Sequence, residues 1–375
     1  DLYYEPQQGA PGKTYCDIDG AVTHRPIDRA LCPIDEALAR RYDPAHLTLC
    51  EVVAAAMRHA GYDPHRLPSR NTGVYVGNSS GGTGIESRYA YHASAREMDD
   101  LLRQVPSFER LAPEVREAII EQVVASIRSD FPDARNSAVD RAAPNASAAL
   151  VVEAFGLTGP SLVVDSACAS SVMALEVAAP ALRDGRIDMA VVAGAAYRKL
   201  YEWVGIALAK TMSARGSCPF DAAADGLISA DGYGAVIVKT LDRALADGDR
   251  ICGVVRGIGL SCDGRGKGFW APRKEGQVES IRRAYAGGLD AARVQFIEAH
   301  ATSTQLGDAT EVSALTEAFA GVFDRKIPVT SVKANVGHSL EAAGIAGLIK
   351  TLLAMQHRVI PPAANLQNLN PDIDW

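Results

Sequence analysis

Apolar residues recur at helical spacing from His46 to Ala60, and the run stops at Gly61. The preceding residues 1–45 are rich in Pro, Gly and Asp and read as loop. Residues 73–77 form a short apolar run bounded by Gly73 and Gly77, the mark of a buried strand. Residues 83–140 are polar and charged with helical stretches, an excursion from the core, and 146–156 read as helix. A strand over Ser161–Asp165, a helix over Ala169–Arg183 ending before Gly185, and a strand over Met189–Gly194 then follow. That order is a βαβ signature and predicts a parallel sheet.

After a charged connection near 240–250 the same grammar returns. Strands are predicted at 251–260, 294–299 and 328–332, and helices near 274–286, 308–320 and 340–356. The chain therefore divides near residue 250 into two α/β halves, 1–250 and 251–375, with no literal repeat between them.

The chain has 375 residues, 47% apolar and 22% charged, the balance of a globular protein with a sizeable core. Its net charge of -7 argues against non-specific nucleic-acid binding. No stretch approaches the ~20 continuous apolar residues of a membrane span, and the N-terminus lacks the basic and apolar regions of a signal peptide. The seven cysteines are odd in number and scattered, without metal-ligand spacing, so free thiols in a reducing cytoplasm and no metal are expected. The glycine-rich run Gly77–Gly84 lacks the Lys-Ser/Thr of a phosphate-binding loop and reads as a tight loop near a pocket or interface.

Candidate chemistry gathers at strand ends. Cys168 lies where the 161–165 strand turns into a helix, where free N–H groups and the helix dipole favour a thiolate. Small neighbours, from Ser166 to Ser171, leave room for a substrate. His300 and His338 each follow a predicted strand of the second half, at the same kind of sheet edge. Together the three fit nucleophilic acyl chemistry. His24, His46, His59, His65, His92 and His357 read as solvated or satisfied side chains.

The segment from Asp165 to Ser171, Asp-Ser-Ala-Cys-Ala-Ser-Ser, resembles the nucleophile motif of β-ketoacyl synthases, the condensing domains of polyketide and fatty-acid synthases. Glu298–Thr304 (Glu-Ala-His-Ala-Thr-Ser-Thr) resembles the family's first histidine motif, and Lys333–His338 (Lys-Ala-Asn-Val-Gly-His) its lysine–histidine motif. Order and separation also match, and further similarity lies in Pro219–Gly226 and Asp263–Arg265.

The resemblance implies a thiolase-like fold of two similar α/β halves in a five-layered αβαβα arrangement, working as a homodimer beside neighbouring synthase domains. It implies no permanently bound cofactor; substrates arrive on the phosphopantetheine of an acyl carrier protein. It implies that Cys168 takes an acyl group, that a malonyl-type extender loses carbon dioxide, and that the enolate attacks the acyl-cysteine. Neutral imidazoles at His300 and His338 then stabilise the developing oxyanion. By the same resemblance Lys333 and Glu311 match a charged pair holding the histidines. Thr302 and Thr304 match contacts to the pantetheine arm. Phe220 matches a pocket-side aromatic, with core packing as the alternative.

Three departures bear on this reading. Ala301 stands where the family has glycine, and Asp43–Leu47 replaces an early family segment, which points to the iterative multidomain branch. Both ends look short against the family, the second half lacking strands and a Phe/Gly-rich loop that completes the oxyanion hole, as in an excerpt of a longer protein. A non-catalytic gatekeeper or scaffold that binds carrier protein is the alternative from another class. A thiolase is the alternative enzyme, disfavoured because Cys218, Cys252 and Cys262 lack its glycine-rich context.

Overall fold

The computed structural model describes residues 3–82, 97–129, 143–197, 199–266, 268 and 271–375. Four strands make the first sheet: β1 Thr72–Gly77, β2 Ser161–Val164, β3 Met189–Ala196 and β4 Gly232–Val238, in the order β2-β1-β3-β4. β2, β1 and β3 run parallel, and β4 pairs antiparallel with β3. β1 and β3 are buried along their whole length, which explains their unbroken apolar runs: a parallel sheet covered on both faces has no polar side.

Alternation assigns the faces. Val74, Val76, Val191, Ala193 and Ala195 pack under the helices Pro44–His59 and Ala146–Phe155, with Leu49, Val53 and Met57 of the first turned inward at helical spacing. Tyr75, Ala190 and Val192 face Ala174, Leu175 and Ala178 of the helix Ser170–Arg183. The Pro44–His59 helix starts where Asp43 accepts the Ala45 N–H at 2.9 Å, with Pro44 in the first turn. Truncating a fully buried Leu49 to alanine there costs about 2–5 kcal/mol.

The helix Ala343–His357 lies on the sheet face shared with Ser170–Arg183, where Ile345 packs against Ala196 and Val236. Its far side meets a second sheet of two short parallel strands, β5 Ile297–Glu298 and β6 Val329–Thr330. Beyond these lie Gln305–Ala318, whose Val312 packs with Ala299 and Ala301, and Lys274–Tyr285. Helices, sheet, helices, sheet and helices are thus stacked in five layers.

Two glycines permit the close approaches that build the site. A Cβ on Gly77 would sit 2.5 Å from Ser171 N, so only glycine lets the end of β1 touch the start of the nucleophile helix. A Cβ on Gly194 would meet Ala342 Cα at 2.8 Å.

The structure differs from the sequence expectation in the second half. Residues 251–260 form no strand; they run against the flanking helices, and Cβ atoms on Gly257 and Gly259 would strike backbone of Ala284 and Ser280. An apolar run becomes a strand only with a ladder partner, and none is present among the described residues. β5 and β6 are likewise shorter than the predicted 294–299 and 328–332. β4 escaped the sequence pattern because Gly232 and Gly234 dilute its apolar run. The charged connection contains a helix, Leu241–Asp247, capped by the Thr240 side chain and closed by Gly248. His46, expected at the surface or satisfied, is fully buried. Of the polar excursion, 83–96 and 130–140 lie outside the described residues, as do Thr83 and Gly84 of the glycine-rich run.

Candidate active site

Parallel strands deliver their following loops to one sheet edge. β2 ends at Val164, and four residues later Cys168 sits in a single 3-10 turn, Ala167–Ala169, that leads into Ser170–Arg183. Ala167 holds a left-handed φ of 47°, a conformation an alanine adopts at a cost of about 1–2 kcal/mol. The bend is held from both sides: Ser170 Oγ donates to Ala167 O at 2.6 Å and accepts the Ser166 N–H at 2.8 Å. It turns Cys168 Sγ to within 3.0 Å of His338 Nε2.

His338 is 2% exposed and pinned through its backbone: its N–H reaches Ile228 O at 2.7 Å, and its carbonyl accepts the Ala230 N–H at 3.0 Å. Its Nδ1 accepts the Leu340 N–H at 3.2 Å, which leaves the proton on Nε2, facing the sulfur. The ring of His300 crosses that of His338 edge to face at 5.3 Å between centroids. One ligand-type atom from each of Cys168, His300 and His338 lies within 4.8 Å of the others. Such a donor set is one zinc accepts, but tetrahedral ligands stand roughly 3.5 Å apart. The 3.0 Å contact is a hydrogen bond, so the geometry fits acyl chemistry better than a metal centre.

Glu311 organises the His300 loop. Its two carboxylate oxygens accept the backbone N–H groups of His300 and Ala301, each at 2.7 Å. Lys333 is 4% exposed at the start of the short helix Lys333–Val336, and burial lowers its pKa while the Glu311 charge opposes that. The sequence expectation of a Lys333–Glu311 pair is modified here: the two interact through space, but Glu311 spends its oxygens on the backbone. Ser331 ties the two histidine loops, its Oγ donating to Ala301 O at 3.0 Å and accepting the Lys333 N–H at 3.3 Å.

The electrostatics favour neutral groups. Burial pushes the Cys168 thiol up to about 11; the Lys333 charge pulls it down, and Glu341 pushes it up again. Burial, then His300 and Lys333, hold His338 well below the usual imidazole range. Desolvation of the ring, then the Lys333 charge, lowers the His300 pKa below the usual imidazole range. Burial thus opposes the thiolate that the helix start and Lys333 favour, and it opposes charge on both imidazoles as well.

The remaining predicted residues divide. Thr302 and Thr304 are adjacent, with hydroxyls 3.0 Å apart on the loop that carries His300. Phe220 is 1% exposed and belongs to the core, packed with Ala299, Ala301 and Ile373 and edge-on to Trp375, so it backs the histidine loop from behind. Sequence reading missed Asp308. It lies three residues before Glu311 on one helix face, accepts the Phe220 N–H at 2.8 Å, and is pushed up to about 6 by burial. That i, i+3 acidic pair was the available signal. It also missed Glu298 as a clamp: its carboxylate accepts the Val332 N–H at 2.5 Å and Lys350 Nζ at 2.6 Å, joining β5, β6 and Ala343–His357.

Residues 1–244 match the family model "Beta-ketoacyl synthase, N-terminal domain", and residues 252–367 match "Beta-ketoacyl synthase, C-terminal domain". The chain belongs to the β-ketoacyl synthase family. Among curated β-ketoacyl synthase relatives, erythronolide synthase EryA2 of Saccharopolyspora erythraea is 32% identical over 99% of this chain and 9% of its own length. The phthioceranic/hydroxyphthioceranic acid synthase of Mycobacterium tuberculosis is 33% identical over 100% of this chain and 16% of its own. The chain thus spans under a fifth of these relatives. Among solved structures, the ketosynthase from module 6 of the Bacillus subtilis bacillaene synthase superposes with a TM-score of 0.76 at 27% identity, covering 99% of this chain and 57% of that one. The PfaC ketosynthase–chain length factor superposes with a TM-score of 0.81 at 27% identity, over 97% of this chain and 38% of that one. The five-layered architecture is the thiolase-like fold of these ketosynthases.

Proposed function

We propose that this chain is the condensing domain of a polyketide- or fatty-acid-type synthase, an acyltransferase that joins acyl units by decarboxylative Claisen condensation. The observation that carries the reading is the 3.0 Å contact between Cys168 Sγ and His338 Nε2, with the His300 ring alongside.

In the first half-reaction Sγ attacks the acyl carbonyl of a carrier-bound phosphopantetheine thioester. The new Sγ–acyl bond replaces the pantetheine C–S bond, and the departing pantetheine thiol takes the proton Cys168 gives up. The Nε2–H of His338, the Lys333 charge and the N–H groups at the helix start stabilise the thiolate as it forms. In the second half-reaction a malonyl-type thioester loses carbon dioxide. The pair of electrons left behind forms an enolate, whose oxygen accepts hydrogen bonds from His338 and His300. The enolate carbon attacks the acyl-Cys168 carbonyl, and the β-ketoacyl thioester leaves as Sγ departs.

Neutral imidazoles suit this task, because an N–H donor that is never charged stabilises an oxyanion without giving up its proton. Glu311 and Ser331 fix the loops that carry the two rings, and Thr302 and Thr304 offer hydroxyls to the pantetheine arm. The division of labour near residue 250 belongs to the same proposal, with the nucleophile on the first sheet and both histidines on loops of the second. So does a homodimer: among the described residues β2 pairs only with β1, and Leu162 is 44% exposed on that edge. Seven cysteines without a disulfide fit a reducing compartment such as the cytoplasm. No helix among the described residues is long and apolar enough to cross a membrane.

The test is intact-mass measurement after exposure to acyl-pantetheine, followed by malonyl-carrier protein. An acyl mass on Cys168 and release of carbon dioxide are expected; a chain that gains no acyl mass is a scaffold instead.

A further inference from the structure

The Leu340 N–H that fixes the His338 tautomer belongs to a turn that has to be held in place. Leu340 has a φ of 39°, in the left-handed region, which is unfavourable for a residue with a Cβ. Such a conformation persists only where its surroundings restrain it. The residues on either side are restrained by close packing on the first sheet. A Cβ on Gly232 would lie 2.4 Å from Ser339 Cβ, and one on Gly194 would lie 2.8 Å from Ala342 Cα. Between them comes Glu341, in the short turn Leu340–Ala342 that packs against the Cys168 turn.

Glu341 is buried, and the Ser79 hydroxyl donates to its carboxylate. Ser79 comes two residues after β1 and Lys199 three residues after β3, at the sheet edge that also presents Cys168 after β2. Lys199 Nζ donates to Ser79 Oγ and to Glu202 Oε1, each at 3.1 Å. Chemistry fixes the direction of this chain. An ammonium only donates and a carboxylate only accepts, so Ser79 Oγ accepts from Lys199 and points its own hydrogen at Glu341. The Glu341 charge opposes the Cys168 thiolate. A buried carboxylate that hinders the nucleophile beside it is explained by what its oxygen holds, not by its charge.

We propose that Glu341 is a positioning residue for His338, anchored to the first sheet by Ser79 and Lys199. It holds the Leu340 turn, so that the Leu340 N–H stays on Nδ1 of His338 and the proton stays on Nε2, facing the sulfur. The proposal rests on the condensing reading and deepens it, adding a link from the ends of β1 and β3 to an oxyanion donor. Without that link the turn relaxes from its left-handed conformation, the Leu340 N–H leaves Nδ1, and the ring proton is free to move there. An imidazole protonated on Nδ1 presents a lone pair, not a donor, to the enolate oxygen.

The experiment compares Glu341→Ala, Glu341→Gln and Ser79→Ala with the unaltered full chain. The His338 tautomer is read without substrate from the ring nitrogen shifts of isotope-labelled histidine, assigned with His338→Ala. Loading is read as acyl mass on Cys168, and decarboxylation as carbon dioxide released from malonyl-carrier protein. The unaltered chain is expected to carry the proton on Nε2. Glu341→Ala and Ser79→Ala are expected to move it toward Nδ1 and to slow decarboxylation about tenfold or more, with loading changed less than about threefold. Glu341→Gln keeps an acceptor for the Ser79 hydroxyl and is expected to restore both tautomer and rate. A proton on Nδ1 in the unaltered chain overturns the proposal, as does an unchanged tautomer in a folded alanine variant. Glutamine behaving like alanine also overturns it, since charge and not position would then be what matters. Ser79→Ala leaves Glu341 in place and decides should Glu341→Ala not fold. Failure of the unaltered chain to load or decarboxylate counts instead against the condensing reading, and the tautomer still decides the link.

Discussion

Cys168 and His338 are 170 residues apart in sequence and 3.0 Å apart in space, sulfur to Nε2. The contact joins a turn that leaves the first sheet to a loop that leaves the second, so it depends on how the two sheets are stacked. The imidazole is oriented by the Leu340 N–H on its other nitrogen, which keeps a donor aimed at the reacting atoms.

Replacing the nucleophile separates the two half-reactions. Cys168→Ala is expected to abolish acyl loading and condensation. Cys168→Gln abolishes loading too, but its amide mimics an occupied site, and carbon dioxide release from malonyl-carrier protein should persist. Loading by mass and isotope release from labelled malonyl measure the two separately.

His338→Ala should retain part of the acyl loading, since Sγ remains, while decarboxylation falls by roughly 10²–10³, the loss expected for one oxyanion donor. Full decarboxylation in that variant would refute the role given to His338. His300→Ala should show a decarboxylation loss of the same order with milder effects on loading.

The resting thiol should be sluggish. With Cys168 held up to about 11, alkylation by iodoacetamide without substrate should be slow at pH 7 and accelerate as pH rises toward 11. Lys333 lowers that value, so Lys333→Met should shift the profile further upward. A profile centred near neutrality would contradict the burial argument.

Asp308 makes a prediction about stability with a definite sign. Its folded pKa of about 6 lies above the reference 3.8, so the folded state binds the proton more tightly. The stabilisation from that proton is fully present below about 3.8 and is lost as pH rises through about 6. Asp308→Asn keeps an acceptor for the Phe220 N–H and removes the charge. Relative to the unaltered chain, it should gain on the order of 2–3 kcal/mol between pH 4 and pH 8. Urea unfolding at the two pH values gives the comparison.

Glu311→Ala would leave the His300 and Ala301 N–H groups without their carboxylate partner. A cost of about 2–5 kcal/mol is expected from two such groups, together with a loss of decarboxylation larger than the loss of loading. Equilibrium unfolding measures the first and the half-reactions the second.

Sequence alone determined more than the element pattern. The apolar runs of β1 and β3 and the Ser170–Arg183 helix were legible because a strand buried on both faces leaves an unbroken signature and a helix ends on glycine, and β2 because its apolar run opens the βαβ order. Cys168, His300 and His338 were legible because each follows an apolar run, within a motif of its own. Tertiary structure decided the rest. Phe220 went to the core rather than a pocket wall because the helix Gln305–Ala318 closes over it, and no local pattern records that helix's position. Residues 251–260 are apolar enough for a strand, but a ladder needs a neighbour, and pairing is a property of two segments. Glu311, Asp308 and Glu298 each hold a backbone N–H that is distant in sequence, as far as 88 residues away for Asp308 and Phe220. The Cys168 thiol is the clearest case. A helix start favours the anion and is visible in the residues, whereas the desolvation that opposes it arises only when the two sheets stack around the site.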